Sequence, residues 1–276
     1  MKTIVTHLSP DLDAICAVWL IRKYLKGWDE ADVVFVPAGS TLDRQQVDSD
    51  PSIIHVDTGN GQFDHHDSSE YMSAGRQVFD YLKFKQSIPR RDTDAVERVV
   101  EIVTFSDHFR DVFFVQPEED YYLMFAKDLV HHYKAVARDD LEVISFGTNI
   151  LNASLYGMKQ KIRAEVDIED GYVFKSIFGS GIALNCGNSQ ALVLAQKRGY
   201  MLVIQRNPQQ HFVKIKLHPK SKKNLKKVHE YLEKKDSQAT WIYHPSGKMI
   251  INGSAHNPNV VATKLSLDDL VTSVKI

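Results

Sequence analysis

The chain has 276 residues, 43% hydrophobic and 25% charged, the profile of an ordinary soluble globular protein. Its formal net charge of −1 gives the chain as a whole no polyanion-binding character, and its length suits two modest domains or one large one. Cys16 and Cys186 are the two cysteines; they lie far apart in apolar segments and read as buried thiols in a reducing compartment. No signal-peptide pattern precedes the first strand-like run, and the apolar stretch over residues 14–25 carries Arg22 and Lys23 and is too short to span a bilayer. A cytoplasmic location is expected, with no membrane association.

In chain order, residues 2–6 read as a short buried strand. Ala14, Ala17, Val18, Ile21 and Leu25 then share one helical face. Residues 33–36 and 53–56 read as strands, closed by Pro37-Ala38-Gly39 and by Thr58-Gly59-Asn60-Gly61. This order predicts an α/β fold with a parallel sheet and ligands gathered at its carboxyl edge. Helical patterns dominate residues 74–167, broken at Pro89 and Pro117, and residues 139–169 form a long amphipathic linker. From residue 170 the pattern changes. Two hairpins, over 172–184 and 241–251, flank a helix over 189–197, strands over 200–205 and 212–217, and a helix over 224–234. The expected layout is a catalytic domain over 1–138, a helical linker over 139–169 and a smaller α+β substrate domain over 170–276.

Two clusters in the first part point to a metal site. One is His7-Leu8-Ser9-Pro10-Asp11-Leu12-Asp13-Ala14 and the other Phe63-Asp64-His65-His66-Asp67; Asp57 ends the strand between them. Carboxylates and imidazoles crowded at strand ends repel or dehydrate one another unless a dication joins them. His7 leaves the first strand at its carboxyl end, Pro10 suits the first turn of the following helix, and Asp11 and Asp13 lie near the positive end of its dipole. Asp11 alone would be read as a helix cap. Together with the other two segments it becomes a ligand. Asp57 is positioned to bridge two ions, with His7 and Asp11 on one and Asp13, His65 and Asp107 on the other. Asp64 would accept a hydrogen bond from a ligand imidazole, and His66 would meet substrate phosphate or protonate a leaving oxygen. The donor set has no thiolate and favours two Mn²⁺ ions, with Mg²⁺ or Co²⁺ as substitutes. His131 and His132, adjacent on a predicted helix, are assigned no role.

These residues resemble the DHH phosphoesterase superfamily. The resemblance rests on His7-x-x-Pro10-Asp11-x-Asp13-Ala14, Asp57, Asp64-His65-His66 and a later aspartate, best matched by Asp107 with Asp111 close by. It implies a metal-dependent hydrolase of the group that holds RecJ-type exonucleases, oligoribonucleases, cyclic-dinucleotide phosphodiesterases and manganese pyrophosphatases. Leu12, between the aspartates, is more like the pyrophosphatases. The second half is similar in outline to the substrate domain associated with that superfamily. Of its glycine-rich loop only Gly253 and His256 fit, and Lys214-Ile215-Lys216-Leu217-His218 stands where a Ser-x-Arg segment is usual. The resemblance implies substrate contacts at Gly253 and His256, while Lys214, Lys216 and His218, which alternate on one face of a predicted strand, are substrate candidates on their charge.

Charge is unevenly distributed. Residues 189–235 hold twelve basic and two acidic side chains, an excess of ten in a chain of net −1. A solvated lysine face is one reading; an electrostatic track for a phosphate backbone is the other. Trp241 and Tyr243 alternate on a hairpin and are either core or base-stacking groups. The expected function is phosphodiester hydrolysis on short oligonucleotides or nucleic-acid ends. The alternatives are a small-molecule phosphohydrolase acting on pyrophosphate, polyphosphate or a nucleotide, and a nucleotide-binding module without hydrolysis. An oligonucleotide or nucleotide is the expected partner, and a homodimer is compatible with it.

Overall fold

A computed structural model of the chain describes residues 2–254, 257 and 259–275; His256 lies outside the described residues. The chain forms two compact units, Met1–Lys159 and Gln160–Ile276.

The first unit is built on a parallel sheet of β1 (Thr3–His7), β2 (Asp32–Val36) and β3 (Ile53–His55), with β1 in the centre. β-branched residues fill these strands, as a sheet covered by helices requires. α1 (Leu12–Tyr24) is buried along its whole length from Leu12 to Ile21. The single apolar face read from its periodicity is therefore only part of what it buries. α2 (Ala74–Phe84) and α3 (Arg90–Asp107) pack on it beside the sheet, so every face of α1 meets protein. Phe79, Val78 and Leu82 of α2 and Val96 and Val100 of α3 are fully buried in this core. α4 (Ala126–Tyr133) also contacts α1. Between α3 and α4 the expected helical continuation is absent. Left-handed residues Phe109 and Gln116 interrupt the backbone, and two short 3₁₀ turns, Arg110–Phe113 and Asp120–Met124, replace the helix. α5 (Asp140–Glu169) starts in the first unit and ends in the second.

The second unit holds a six-stranded sheet in the order β4-β5-β6-β7-β9-β8. Its strands are β4 (Tyr172–Ser176), β5 (Gly179–Leu184), β6 (Leu202–Arg206), β7 (Val213–Leu217), β8 (Ile242–Tyr243) and β9 (Met249–Asn252). The pair β5–β6 is parallel, connected through α6 (Ser189–Lys197), and the other neighbours are antiparallel. Strand alternation divides the core in two. Ala183, Leu202, Ile204, Val213, Ile215 and Leu217 face α7 (Lys226–Lys235) and α8 (Leu267–Ser273). Ile182, Leu184 and Val203 face α6 and the end of α5. Trp241 belongs to the first of these cores and is no stacking platform.

Gly253, directly after β9, has φ +83, and a Cβ there would lie 2.1 Å from the Phe212 ring. The absence of a side chain at this glycine is thus required by packing and backbone together. Gly253→Ala is expected to lower the stability of the chain by about 1–3 kcal/mol, read from the midpoint of urea unfolding; an unchanged midpoint would contradict this packing role.

Candidate metal centre

The site is assembled at the carboxyl edge of the parallel sheet. β1 delivers His7, and the chain then turns through Ser9 at φ 54 into α1. Asp11 is the N-cap of α1: its Oδ1 accepts the backbone amides of Asp13 at 2.9 Å and Ala14 at 3.0 Å. Pro10 therefore precedes the cap and is not in the first turn. Asp57 follows β3 in a left-handed conformation at φ 55, unusual for a residue with a side chain. Its amide donates to the carbonyl of Phe63 at 2.8 Å and closes the loop that carries the second cluster. Within that loop buried Asp64 accepts the amide of Asn60 at 2.7 Å, which fixes the turn before His65 and His66. Asp107 is the last residue of α3.

The side chains of His7, Asp11, Asp57, His65 and Asp107 converge. His7 Nδ1 donates to the carbonyl of Leu8 at 2.8 Å, so Nε2 is turned toward Asp57 Oδ2 at 3.2 Å. Asp57 Oδ1 faces the other way: His65 Nε2 is 3.5 Å and His66 Nδ1 3.6 Å from it. No hydrogen bond reaches this buried oxygen among the described residues. His65 Nε2 also lies 3.5 Å from Asp107 Oδ2 and 3.8 Å from Asp13 Oδ2. One imidazole nitrogen is thus ringed by three carboxylates. His7, Asp11 and Asp57 form one group with donor atoms within 4.8 Å of one another; Asp57, His65 and His66 form another, and His65, Asp107 and His108 a third.

Two of the expected residues have different contacts from those anticipated. Asp64 Oδ1 accepts from His66 Nδ1 at 2.7 Å, so it orients the imidazole read as a substrate contact and not that of His65. Asp13 is almost fully buried, and its carboxylate accepts the first amides of α2, Ala74 at 2.7 Å and Gly75 at 3.0 Å. It anchors a helix N-terminus while standing beside His65. Asp111, the neighbour of Asp107 in the motif, is instead paired with Lys127 at 2.7 Å. His108 escaped the sequence reading. Its only signal is adjacency to Asp107 at a helix end, where the next residue can still fold back toward the same edge; it donates Nε2–H to the carbonyl of Met72 at 2.8 Å.

In the second unit Lys214 and Lys216 alternate with buried Val213, Ile215 and Leu217, so the two lysines share the opposite face of β7. His218 follows the strand and accepts the amide of Lys220 on Nδ1. Gly253 has the packing role described above.

Electrostatics in the cluster follow from burial and proximity. Burial, then the charges of Asp57, Asp107 and Asp11, push the Asp13 carboxyl well above its ordinary value. Burial also raises Asp107, with Asp11 and Asp57 adding to it. Burial would raise Asp57 too, but the imidazoles of His65 and His7 outweigh it and hold this carboxyl far below the carboxylate range. Burial alone would lower His7; the Asp57 and Leu8 hydrogen bonds and the charges of Asp57 and Asp11 carry it to about 9. The Asp57 contact raises His65 to about 9, against its partial burial, with Asp13 and Asp107 contributing. Protons on two imidazoles thus hold together carboxylates that would otherwise repel. A dication would serve the same purpose with more charge. The nitrogen and oxygen donors, the lack of a thiolate and the Asp57 Oδ1, which accepts no hydrogen bond among the described residues, all fit such an ion.

No family model and no curated protein matches the chain. Among solved structures the chain is similar to RecJ in complex with Mg²⁺ from Thermus thermophilus, at 11% identity and a TM-score of 0.36. The alignment covers 99% of this chain and 49% of that one, so the chain spans about half the length of that protein. Likeness at this level says nothing about activity.

Since His7 and His65 titrate near 9, above the ordinary 6.5, both are protonated at neutral pH and must lose that proton to bind an ion. Apparent Mn²⁺ affinity is expected to rise from about pH 7 to about pH 9. Calorimetry in buffers of differing ionisation enthalpy is expected to record net proton release on loading, His7 and His65 among its sources. Affinity independent of pH over this range would contradict the arrangement.

Proposed function

We propose that the chain is a two-metal phosphoesterase that hydrolyses phosphodiester bonds of short oligonucleotides or nucleic-acid ends. The observation that carries this reading is the division of Asp57, whose Oδ2 meets His7 and whose Oδ1 faces His65 and His66. A carboxylate shared between two donor groups is what a bridged pair of ions needs. His7 and Asp11 would hold one ion, Asp13, His65 and Asp107 the other, and Asp57 both. Mn²⁺ is the proposed native ion, with Mg²⁺ or Co²⁺ able to replace it. When bound, the pair would generate a hydroxide nucleophile at neutral pH and neutralise charge developing on phosphorus.

The remaining work falls to the chain's own residues. His66 has a side chain 60% exposed, and its Nδ1–H is committed to buried Asp64. Its Nε2 is left for substrate and, when protonated, donates to a phosphate or leaving oxygen. Asp64, itself fixed by the Asn60 amide, keeps that imidazole from rotating. Lys214 and Lys216 supply positive charge in the second unit, with His218 as a hydrogen-bonding group beside them, where the basic excess suits a phosphodiester backbone. Cytoplasmic location belongs to the same reading. Among the described residues no helix is long and apolar enough to cross a membrane.

Release of mononucleotides from an end-labelled oligonucleotide in Mn²⁺, followed by chromatography, tests the activity. Asp57→Asn is expected to reduce the rate by at least about 10³-fold with loss of bound metal. His66→Gln is expected to reduce kcat by about 10²–10⁴-fold with metal content intact. Orthophosphate release from pyrophosphate with oligonucleotides untouched would replace this reading with that of a small-molecule phosphohydrolase. Hydrolysis unchanged in Asp57→Asn would end it. Lys214→Gln and Lys216→Gln together are expected to raise KM for the oligonucleotide and to flatten its salt dependence by up to about 2 in log–log slope.

A further inference from the structure

Phe109 follows the acidic cluster in sequence and borders it in space. It sits at φ 55, a left-handed conformation disfavoured for a bulky side chain, and is 75% exposed. Phe113 in the next turn is equally exposed at 77%, but it does not line the cavity at the acidic cluster as Phe109 does, and Phe114 is packed. Phe114 stacks on Phe105 at 5.6 Å and on Tyr122 at 5.3 Å, and meets Phe125 edge-on at 5.8 Å. They hold the 3₁₀ turns together. Among the described residues no other ring stacks on Phe109, and Lys127 Nζ lies over it at 5.8 Å from the ring centroid. Phe109 and Lys127 line a cavity of about 120 Å³ whose other walls include Asp11, Asp13 and Asp107. An exposed aromatic ring therefore stands at the edge of the carboxylate cluster, beside the Lys127–Asp111 ion pair.

That combination selects a ligand chemistry. Phosphate alone would be served by ions held at the carboxylates and has nothing to place on an apolar ring. A nucleotide has a flat π-face joined to its phosphate, and stacking on an aromatic side chain accepts any base. We infer that Phe109 is the stacking platform for the base attached to the phosphate at the metal centre. The site is thereby selective for nucleotides over inorganic phosphates. This inference rests on the two-metal phosphoesterase reading above. Phe109 makes no contact with the bond broken; it positions the nucleotide whose phosphate is attacked.

The test compares binding of 5′-AMP and of inorganic phosphate to the Mn²⁺-loaded full chain by titration calorimetry. Phe109→Asn removes the ring but tolerates the left-handed backbone, and Phe109→Trp keeps a stacking face. The unsubstituted protein is expected to bind 5′-AMP roughly 5- to 100-fold more tightly than phosphate. Phe109→Asn is expected to lose that advantage with phosphate affinity unchanged. Phe109→Trp is expected to keep it, with 5′-AMP and not phosphate quenching fluorescence beyond the level of the unsubstituted protein. Equal affinities for the two ligands in the unsubstituted protein, or an equal loss of both in Phe109→Asn, would overturn the assignment. A change of molecular mass in Phe109→Asn by light scattering, with 5′-AMP binding intact, would overturn it in favour of a contact between two copies. Should neither ligand bind in the presence of Mn²⁺, the phosphoesterase reading itself fails, and this inference with it.

Discussion

Buried negative charge is the constraint around which the first unit is organised. Asp13 and Asp57 are nearly inaccessible to water, and Asp107 and Asp11 stand close enough to act on them. Like charges withdrawn from solvent are strongly unfavourable unless counter-charges are held with them. Here the counter-charges come from His7 and His65, from the amide dipoles at the start of α2, and from any dication the cluster binds. Each is delivered by a different element. The sheet edge, the tight loop after β3, the α1 cap and the end of α3 must all be in register for the cluster to exist.

Left-handed backbone does much of this positioning. Ser9 and Asp57 both turn sharply just after the parallel strands end. Extended continuation would carry Asp57 away from His7; the turn instead brings its two oxygens between the imidazoles. Conformations of this kind persist where surrounding contacts over-determine them. The Asp57–Phe63 and Asn60–Asp64 hydrogen bonds do so here.

The strands and the ligand candidates were legible in the sequence for the same reason: each is a short local pattern. A β-branched run ending in His7 or Asp57 needs no distant information. His7 and Asp57 come together because parallel strands bring their carboxyl ends to one edge. What escaped depends on distant contacts. Whether Asp64 would meet His65 or His66 depends on side-chain direction inside a tight loop. Asp13 as an anchor for α2 links residues about sixty apart in sequence. All-round burial of α1 follows from what packs on it, which its own periodicity cannot report. The segment 109–125 carries enough apolar residues to look helical, yet left-handed Phe109 and Gln116 break it. In the second unit the strands at 213–217 and 249–252 were readable from alternation. The identity of Trp241 as core was not, because an alternating aromatic has the same pattern on either face of a hairpin.

Asp13 has a consequence that reaches beyond ligand geometry. Its carboxylate is held by the first two amides of α2, and α2 carries Val78, Phe79 and Leu82 into the centre of the core. Any change in electron density on that carboxylate alters how firmly it accepts those two hydrogen bonds. The hydrophobic core and the acidic edge are thereby joined through Asp13, with Gln77 of α2 also donating to the Asp64 carbonyl. Opening of the first turn of α2 would therefore strip the Asp13 carboxylate of both amides and leave it buried beside His65 without them.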